Sequence, residues 1–402
     1  MTEIRFLHIA DLHLDSPFKG ISAIPKNRWQ NIRESTFEAF TRIIEYAVEN
    51  KPDFVLIVGD IYDGENRSLR AQHLFQKGMD ALQTAGVPVF ICYGNHDHLS
   101  GSWVRFQLPD NVYVFGENVE TKWLEVKGKN VQITGFSYKE RHVREAMHVN
   151  YPQAGDANEF HIGMLHGSVE GNEEHDVYAP FRKSDLIGKH YDYWALGHIH
   201  KRQVIHEEPP IVYPGNTQSR HRNEKGMKGF YDVSLSKEHV DLQFISSSAF
   251  IYDELEISCE GIVHANEMIQ LIERTLHEFR AVNGSAILAL TLTHISLETQ
   301  EMIQSSSKEE WLAVIQESLE GHDPFIIIQS LNMAFSKEET REYEPIIELL
   351  NEWDATEWKT VLKDLYQHPR GSKFLPPIDG DFLEETIVEA EQLLSKMVTR
   401  KE

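Results

Sequence analysis

The sequence is poor in cysteine. Cys92 and Cys259 are the only two among 402 residues. Neither sits at a metal-binding spacing, which argues against a disulfide-built scaffold and against a closed thiolate zinc site. Two isolated thiols suit a reducing compartment, so a cytoplasmic protein is expected. No run of about 18 apolar residues occurs, so no membrane-spanning helix is expected. The opening MTEIRFLHIADLHLD lacks a basic start backed by a long apolar core, and it reads as a strand running into a site, not as a signal peptide.

Positive charge is also scarce. The formal net charge is −24, which at first sight speaks against a polyanionic partner. The excess is uneven, however. Beyond residue 250 lie 30 of the 63 acidic side chains but only 12 of the 39 basic ones, so the first 250 residues carry only a net −6. Two divalent ions would reduce that to about −2. Hydrophobic residues make up 41% of the chain, enough for a sizeable core, and the length calls for two or three compact units.

One pattern recurs through the first half. A short apolar run, rich in β-branched residues, ends abruptly in residues that ligate metals. Ile4–Ala10 precedes Asp11 and His13, and Phe54–Val58 precedes Gly59 and Asp60. Val89–Tyr93 precedes Gly94, Asn95, His96 and Asp97. Ile162–Leu165 precedes His166, and Tyr193–Leu196 precedes Gly197, His198 and His200. Such runs suit strands buried on both faces of a layered α/β fold. Helical patterns over Lys26–Glu49 and Ser68–Thr84 separate the early strands, the second stopping at Ala85-Gly86. This alternation predicts crossover connections and a mostly parallel arrangement, whose ligands collect beyond strand ends.

Further on, Val112–Phe115, Trp123–Val126 and Val131–Phe136 read as short strands, and Phe230–Leu235 with Val240–Ile245 as a hairpin. Ser246-Ser247-Ser248 reads as a linker. The predicted domains are residues 1–247, a catalytic core; 248–335, a small α+β unit; and 336–402, an acidic helical segment. The last helix is predicted over Gly380–Val398, with Leu383, Ile387, Ala390, Leu394 and Met397 on one face.

Asp11 and His13, like His198 and His200, are i, i+2 pairs, which point to one side of an extended chain. With Asp60, Asn95 and His166 they make seven candidate protein ligands, suited to two cations sharing Asp60. Mixed oxygen and imidazole donors with open positions suit Mn²⁺ or Fe²⁺ and leave Zn²⁺ and Ni²⁺ open. Two such ions roughly 3.5–4 Å apart activate a bridging water and clamp phosphoryl oxygens. Outside these motifs most of the 21 histidines read as ordinary surface or core residues. His8 reads as a hydrogen-bonded core residue, and His98, just after the third block, could line the site. Arg220, Arg222, Lys225 and Lys228 follow the last block, where basic side chains could contact a phosphate backbone or simply line a solvated loop.

The ordered series D-x-H (11–13), G-D-x-x-D (59–63), G-N-H-D (94–97), H-G (166–167) and G-H-x-H (197–200) resembles the full signature of calcineurin-like metallophosphoesterases. Within that class, R-F-L-H-I-A-D-L-H-L-D-S-P-F at the start and Y-P-G-N-T-Q-S-R-H (213–221) look like SbcD-type DNA repair exonucleases, in particular a YhaO-like bacterial branch. Asn216 stands where that family usually has serine. The resemblance implies a metallophosphoesterase β-sandwich core flanked by helices, a capping α+β domain, and C-terminal helices that dock on an SMC-like ATPase. It implies that Asp11, His13, Asp60 and His200 hold one metal and that Asp60, Asn95, His166 and His198 hold the other. His96 would act on the leaving-group oxygen or stabilise the transition state, oriented by Asp63 or Asp97. A Mn²⁺-dependent DNA exonuclease, by the same analogy a homodimer, is the expected activity. The competing expectations are a small-molecule or protein phosphoesterase on the same core, and a non-catalytic scaffold for an ATPase.

Overall fold

A computed structural model describes residues 2–18, 24–25, 27–64, 67–100, 106–170, 178–296, 299–300, 303, 305–335, 353, 355–366 and 386. Close contacts group the chain into two units. The first comprises Met1–Ile257, Asn266–Thr291 and Ser306–Asn332, and the second Ser258–Ala265, Leu292–Ser305 and Met333–Glu402.

The first unit is built on two six-stranded sheets. In one, β1 (Ile4–Ile9), β2 (Phe54–Val58), β3 (Val89–Cys92) and β4 (Val112–Val114) run parallel. The antiparallel hairpin β11 (Gly229–Leu235) and β12 (Val240–Ser246) extends this sheet beside β1. In the other, β6 (Lys129–Gly135), β7 (Phe160–His166), β8 (Tyr193–Gly197) and β10 (Pro210–Tyr213) run parallel, edged by antiparallel β5 (Glu120–Val126) and β9 (Gln203–Glu207). The expected mostly parallel arrangement therefore describes the centres of both sheets and the β4 edge, whereas the β11–β12 hairpin, β5 and β9 are antiparallel additions. The predicted strands around residue 112 divide: Val112–Val114 closes the first sheet, and the next two open the second.

Strand periodicity explains the continuous apolar runs. In β2, Phe54, Leu56 and Val58 point into a core shared with Val131, Ile133, Ile162, Met164 and Ala195 of the second sheet. Val55 and Ile57 point the other way, against Phe37, Phe40 and Ile43 of α1 (Trp29–Asn50) and Phe75 and Met79 of α2 (Leu69–Ala85). Successive strand side chains face opposite sides, so a strand covered on both faces has no position for a polar residue. The outer face of the second sheet is aromatic, with Tyr138, Tyr151, Tyr191, Trp194 and Tyr213.

Local signals set the helix ends. Ser68 caps α2 by accepting the Ala71 N–H at 3.0 Å, and Gly86 ends it with a left-handed φ of 74°. α1 starts at Trp29, just after a turn in which the Arg28 N–H reaches the Pro25 carbonyl. Later in the first unit, Phe250, Tyr252, Ile287, Phe325 and Ile327 pack with Ile24 and Ile32. They belong largely to β13 (Ile251–Ser258), β14 (Ala286–Ile295) and β15 (Ile326–Phe335), which form a three-stranded sheet. In the second unit the Cys259 N–H bonds the Thr293 carbonyl at 2.8 Å, and Trp358 stacks edge-on with Trp353. The predicted terminal helix over 380–398 lies outside the described residues apart from position 386. Among the described residues, no helix is long and apolar enough to cross a membrane.

Gly163 in β7 shows how closely the second sheet is packed. A Cβ there would lie 2.3 Å from ring carbons of Trp194, which is fully buried. Overpacking of this kind costs about 1–3 kcal/mol or more when the neighbour is rigid. Gly163→Val is expected to lower the thermal melting temperature by several degrees, whereas Gly155→Ala, whose Cβ meets nothing within 4 Å and whose backbone is not left-handed, changes it less. Equal melting of the two variants would contradict this packing.

Candidate metal centre

Five parallel strands end at one place. β1, β2 and β3 are neighbours in one sheet and β7 and β8 in the other, and the loops beyond their carboxyl ends carry the ligand-type residues. The two sheets meet where the His166 Nδ1 lies 3.1 Å from the Val58 carbonyl. Glycine makes this meeting possible. A Cβ on Gly197 would fall 2.0 Å from the Val58 oxygen, and one on Gly94 would fall 2.4 Å from Asp60 Oδ1 and 2.6 Å from His166 Nε2.

The backbone here is not extended. Asp11 has φ 53°, His13 42°, Asp60 51° and His198 96°. Non-glycine residues held in this region cost of order 1–3 kcal/mol each and persist only where the surroundings enforce them. The enforcing bonds are visible. The Asp11, His13 and Leu14 N–H groups donate to the carbonyls of Gly59, Asp60 and Ile61 at 3.2, 2.9 and 2.9 Å. Asp97 accepts from the Asp60, Ile61 and Gly94 N–H groups at 3.3, 2.7 and 2.6 Å. The i, i+2 argument for the two ligand pairs therefore rests on the wrong backbone: β1 ends at Ile9, before Asp11. Left-handed turns place the side chains instead, and the pairs behave differently. Asp11 and His13 share a group with His200, whereas His198 joins Asp60 and His166.

In each of these groups the ligand atoms lie within 4.8 Å of one another. His13 Nε2 faces His200 Nε2 at 3.1 Å, and His166 Nε2 lies 3.0 Å from Asn95 Oδ1. Asp60 Oδ2 stands between the groups, 3.8 Å from His13 Nε2 and 3.4 Å from His166 Nε2. A third group, His13, Asp63 and His96, adjoins the first. All seven expected ligands and His96 are thus brought together.

The donor chemistry fits divalent cations. Asp11, His13, Asp60 and His166 are at most 1% exposed, and His13 Nδ1 has no close hydrogen-bond partner among the described residues, Asp63 Oδ1 standing 3.6 Å away. Burying so many lone pairs is unfavourable unless something positive serves them. The protein's own charges show the strain. Burial pushes Asp11 up to about 8, although His166 opposes it. Burial pulls His166 down, but the Asp60 charge outweighs it and raises the imidazole to about 9. A dication among these donors would favour both carboxylates as anions and His166 as a neutral ligand. The His166 Nδ1–H already points at the Val58 carbonyl, so Nε2 is the nitrogen left free to ligate a cation.

His96 stands at the rim, its side chain 27% exposed, with Nδ1 3.2 Å from Asp63 Oδ1. Burial lowers its pKa, but the Asp63 hydrogen bond and the Asp60 charge raise it overall. Asp63 also accepts from Ser16 Oγ at 2.9 Å. Burial would raise Asp63, yet the His13 and His96 imidazoles beside it, with the Arg220 charge, hold it far below the carboxylate range. The geometry separates the two carboxylates expected near His96: Asp63 meets the imidazole, and the oxygens of Asp97 are taken by backbone N–H groups.

Of the two arginines expected at DNA, Arg220 is built into the site. Its guanidinium is only 16% exposed and donates to Asp63 Oδ1 at 3.3 Å. Arg222 lies in the exposed stretch 221–223. His98 is buried, its Nδ1 3.1 Å from Ser100 Oγ. His8 is buried between the Tyr193 hydroxyl and the Leu196 carbonyl, each 3.0 Å away, and burial lowers its pKa to about 3. Sequence reasoning missed three supports. The Tyr138 and Tyr213 hydroxyls donate to the carbonyls of His166 and Gly167, each at 2.7 Å. Glu224 Oε1 lies 2.6 Å from His200 Nδ1. Tyr213 belongs to the Y-P-G-N segment, so that motif carried a signal, but no spacing marks Glu224.

Asp60→Asn should lower the number of Mn²⁺ ions bound per chain, because its carboxylate lies between both groups. Elemental analysis after dialysis checks this, and unchanged stoichiometry would remove Asp60 from the ligand set. His198→Ala should lower it as well.

Comparison with known proteins agrees with this geometry. Residues 4–202 match the family described as calcineurin-like phosphoesterase. The chain is 36% identical over 374 residues to the uncharacterized metallophosphoesterase YhaO of Bacillus subtilis, covering 92% of this chain and 91% of that one. It is 27% identical over 281 residues to the DNA double-strand break repair protein Mre11 of Methanocaldococcus jannaschii, covering 65% and 69%. To the protein of the same name from Thermoplasma acidophilum it is 28% identical over 256 residues, covering 60% and 64%. The ordered motifs, the clustered donors and the match to YhaO along nearly its whole length show that this chain belongs to the calcineurin-like metallophosphoesterases.

Proposed function

We propose that this chain is a two-metal phosphodiesterase that shortens DNA from its ends, a Mn²⁺-dependent exonuclease of DNA repair. The carrying observation is the coexistence of two donor groups joined at Asp60 with a partly exposed His96 held by Asp63. The named relatives in double-strand break repair support DNA as the substrate.

In this reading Asp11, His13, Asp60 and His200 hold one ion, and Asp60, Asn95, His166 and His198 the other. Bound dications supply a water of lowered pKa and neutralise charge on the phosphoryl oxygens. His96 works beside them. Asp63 engages its Nδ1 and favours the charged imidazole, leaving Nε2 to donate a proton or hydrogen bond to the leaving oxygen. Arg220 ties Asp63 to the loop that follows the last histidine block, so the aim of His96 depends on that loop. Arg222, on exposed chain nearby, is a candidate phosphate contact without base readout. Residues 248–335 serve as a capping domain and 336–402 as the docking segment for an SMC-like ATPase, within a cytoplasmic complex whose nuclease subunit is a homodimer.

End-labelled linear duplex and single-stranded DNA, incubated with Mn²⁺ beside bis-p-nitrophenyl phosphate, tests the activity. Stepwise shortening of DNA is expected. His96→Ala should reduce it by about 10²–10⁴-fold, the usual contribution of a positioned acid or base, with metal content unchanged. Turnover of the small ester with both DNA substrates untouched, even with the ATPase partner added, would replace this reading with a small-molecule or protein phosphoesterase.

A further inference from the structure

Two of the expected ligand imidazoles are held through Nδ1, and by different means. His166 is held by the Val58 carbonyl, which no side-chain substitution removes. His200 is held by Glu224, whose Oε1 lies 2.6 Å from Nδ1. An ionised carboxylate only accepts hydrogen bonds, so the Nδ1–H of His200 donates and Nε2 stays bare. Arg220 Nη2 lies 3.4 Å from the same Nδ1, but the shorter charged contact decides where the proton points. The bare Nε2 is the atom that faces His13 Nε2 across 3.1 Å.

Glu224 is itself fixed. It is 7% exposed. Its Oε2 accepts from the Arg220 N–H at 2.6 Å and from Asn216 Nδ2 at 2.9 Å, while His221 Nε2 lies 3.4 Å from Oε1. The backbone it grips launches the Arg220 side chain, which reaches Asp63 Oδ1 at 3.3 Å, and Asp63 Oδ1 is 3.2 Å from His96 Nδ1. One carboxylate therefore touches an expected metal ligand directly and, through Arg220 and Asp63, reaches the rim histidine. Asn216 gains a purpose here, because its amide donates to Glu224 at a position where serine is usual in the resembling family.

We propose that Glu224 is a positioning residue of the metal centre, holding His200 with Nε2 bare toward the cation and, through Arg220, setting the place of Asp63 behind His96. Groups that orient a metal-bound histidine typically contribute 10–100-fold to metal affinity. Glu224 thus acts on ligand geometry without touching metal or substrate. The inference rests on the metal-centre reading and is independent of which phosphodiester is cleaved.

The test uses the full chain and Mn²⁺ alone. Calorimetric titration of Glu224→Leu should show binding weakened by about 10–100-fold. Glu224→Gln, whose amide oxygen still accepts from Nδ1–H, should show a smaller loss. In the metal-free protein labelled with ¹⁵N-histidine, the His200 ring should be the Nδ1–H form in the wild type and a mixture of tautomers in Glu224→Leu. A folding defect alone would not produce that change. A folded leucine variant with wild-type Mn²⁺ affinity, or a wild-type His200 protonated at Nε2, would overturn the proposal. Should the leucine variant fail to fold, Glu224→Gln decides: weakened binding supports the role and wild-type affinity overturns it. A wild-type chain that binds no Mn²⁺ would instead overturn the metal-centre reading beneath it.

Discussion

The contact between the His166 imidazole and the Val58 carbonyl joins the two sheets at the point where their strands end, and the centre depends on it. Its Nδ1 is committed to the first sheet, and its Nε2 faces Asn95 and Asp60 from that same sheet. Gly59, Gly94 and Gly197 surround the ring so closely that a methyl group on any of them would overlap it or its partners. Packing density in an interior leaves little room to relax such a change, so three glycines and one histidine form a single constraint.

Around that joint the protein buries carboxylates and imidazoles that water would otherwise serve. The energetics are acceptable only as a set. Asp11 and Asp60 oppose each other, His166 lies beside both, and bound dications would complete the balance. The same logic explains the left-handed residues. A strand that simply continued would carry its side chains past the joint. A sharp turn at Asp11, Asp60 or His198 brings them back over the strand ends, and backbone bonds between the β1 and β2 loops keep the turns closed. Asp97 contributes here as a staple of the Asp60 and Gly94 turns, a structural task performed by a residue inside a catalytic-looking motif.

A second ring of support comes from the segment after the last histidine block. Tyr213 holds the Gly167 carbonyl, the Asn216 N–H bonds the His200 carbonyl at 3.3 Å, and Glu224 meets the His200 ring. Arg220, read from sequence as one of several basic residues near the site, is instead a partly buried partner of Asp63. Net charge would never distinguish these roles. A guanidinium facing solvent and one turned to a carboxylate of the site are the same letter in a sequence.

The sequence by itself determined the layered core and the strand ends, and it marked seven candidate donors, because fully buried strands demand unbroken apolar runs and a metal site demands a restricted set of residue types. It also placed the stop of α2 at Gly86 and the hairpin at 230–245, where turn chemistry is local. The resemblance already implied how the donors divide, and only the tertiary structure decided what places and supports them. It brought His13 to His200 through left-handed turns and not an extended i, i+2 pair, gave Asp63 and not Asp97 to His96, drew Arg220 inward, and enlisted Glu224 and two tyrosines. Those outcomes depend on contacts between residues as far as 187 positions apart, such as His13 with His200, and on left-handed turns held by the neighbouring loop. Neither leaves a period or a spacing in the chain, since both arise when two sheets close on each other.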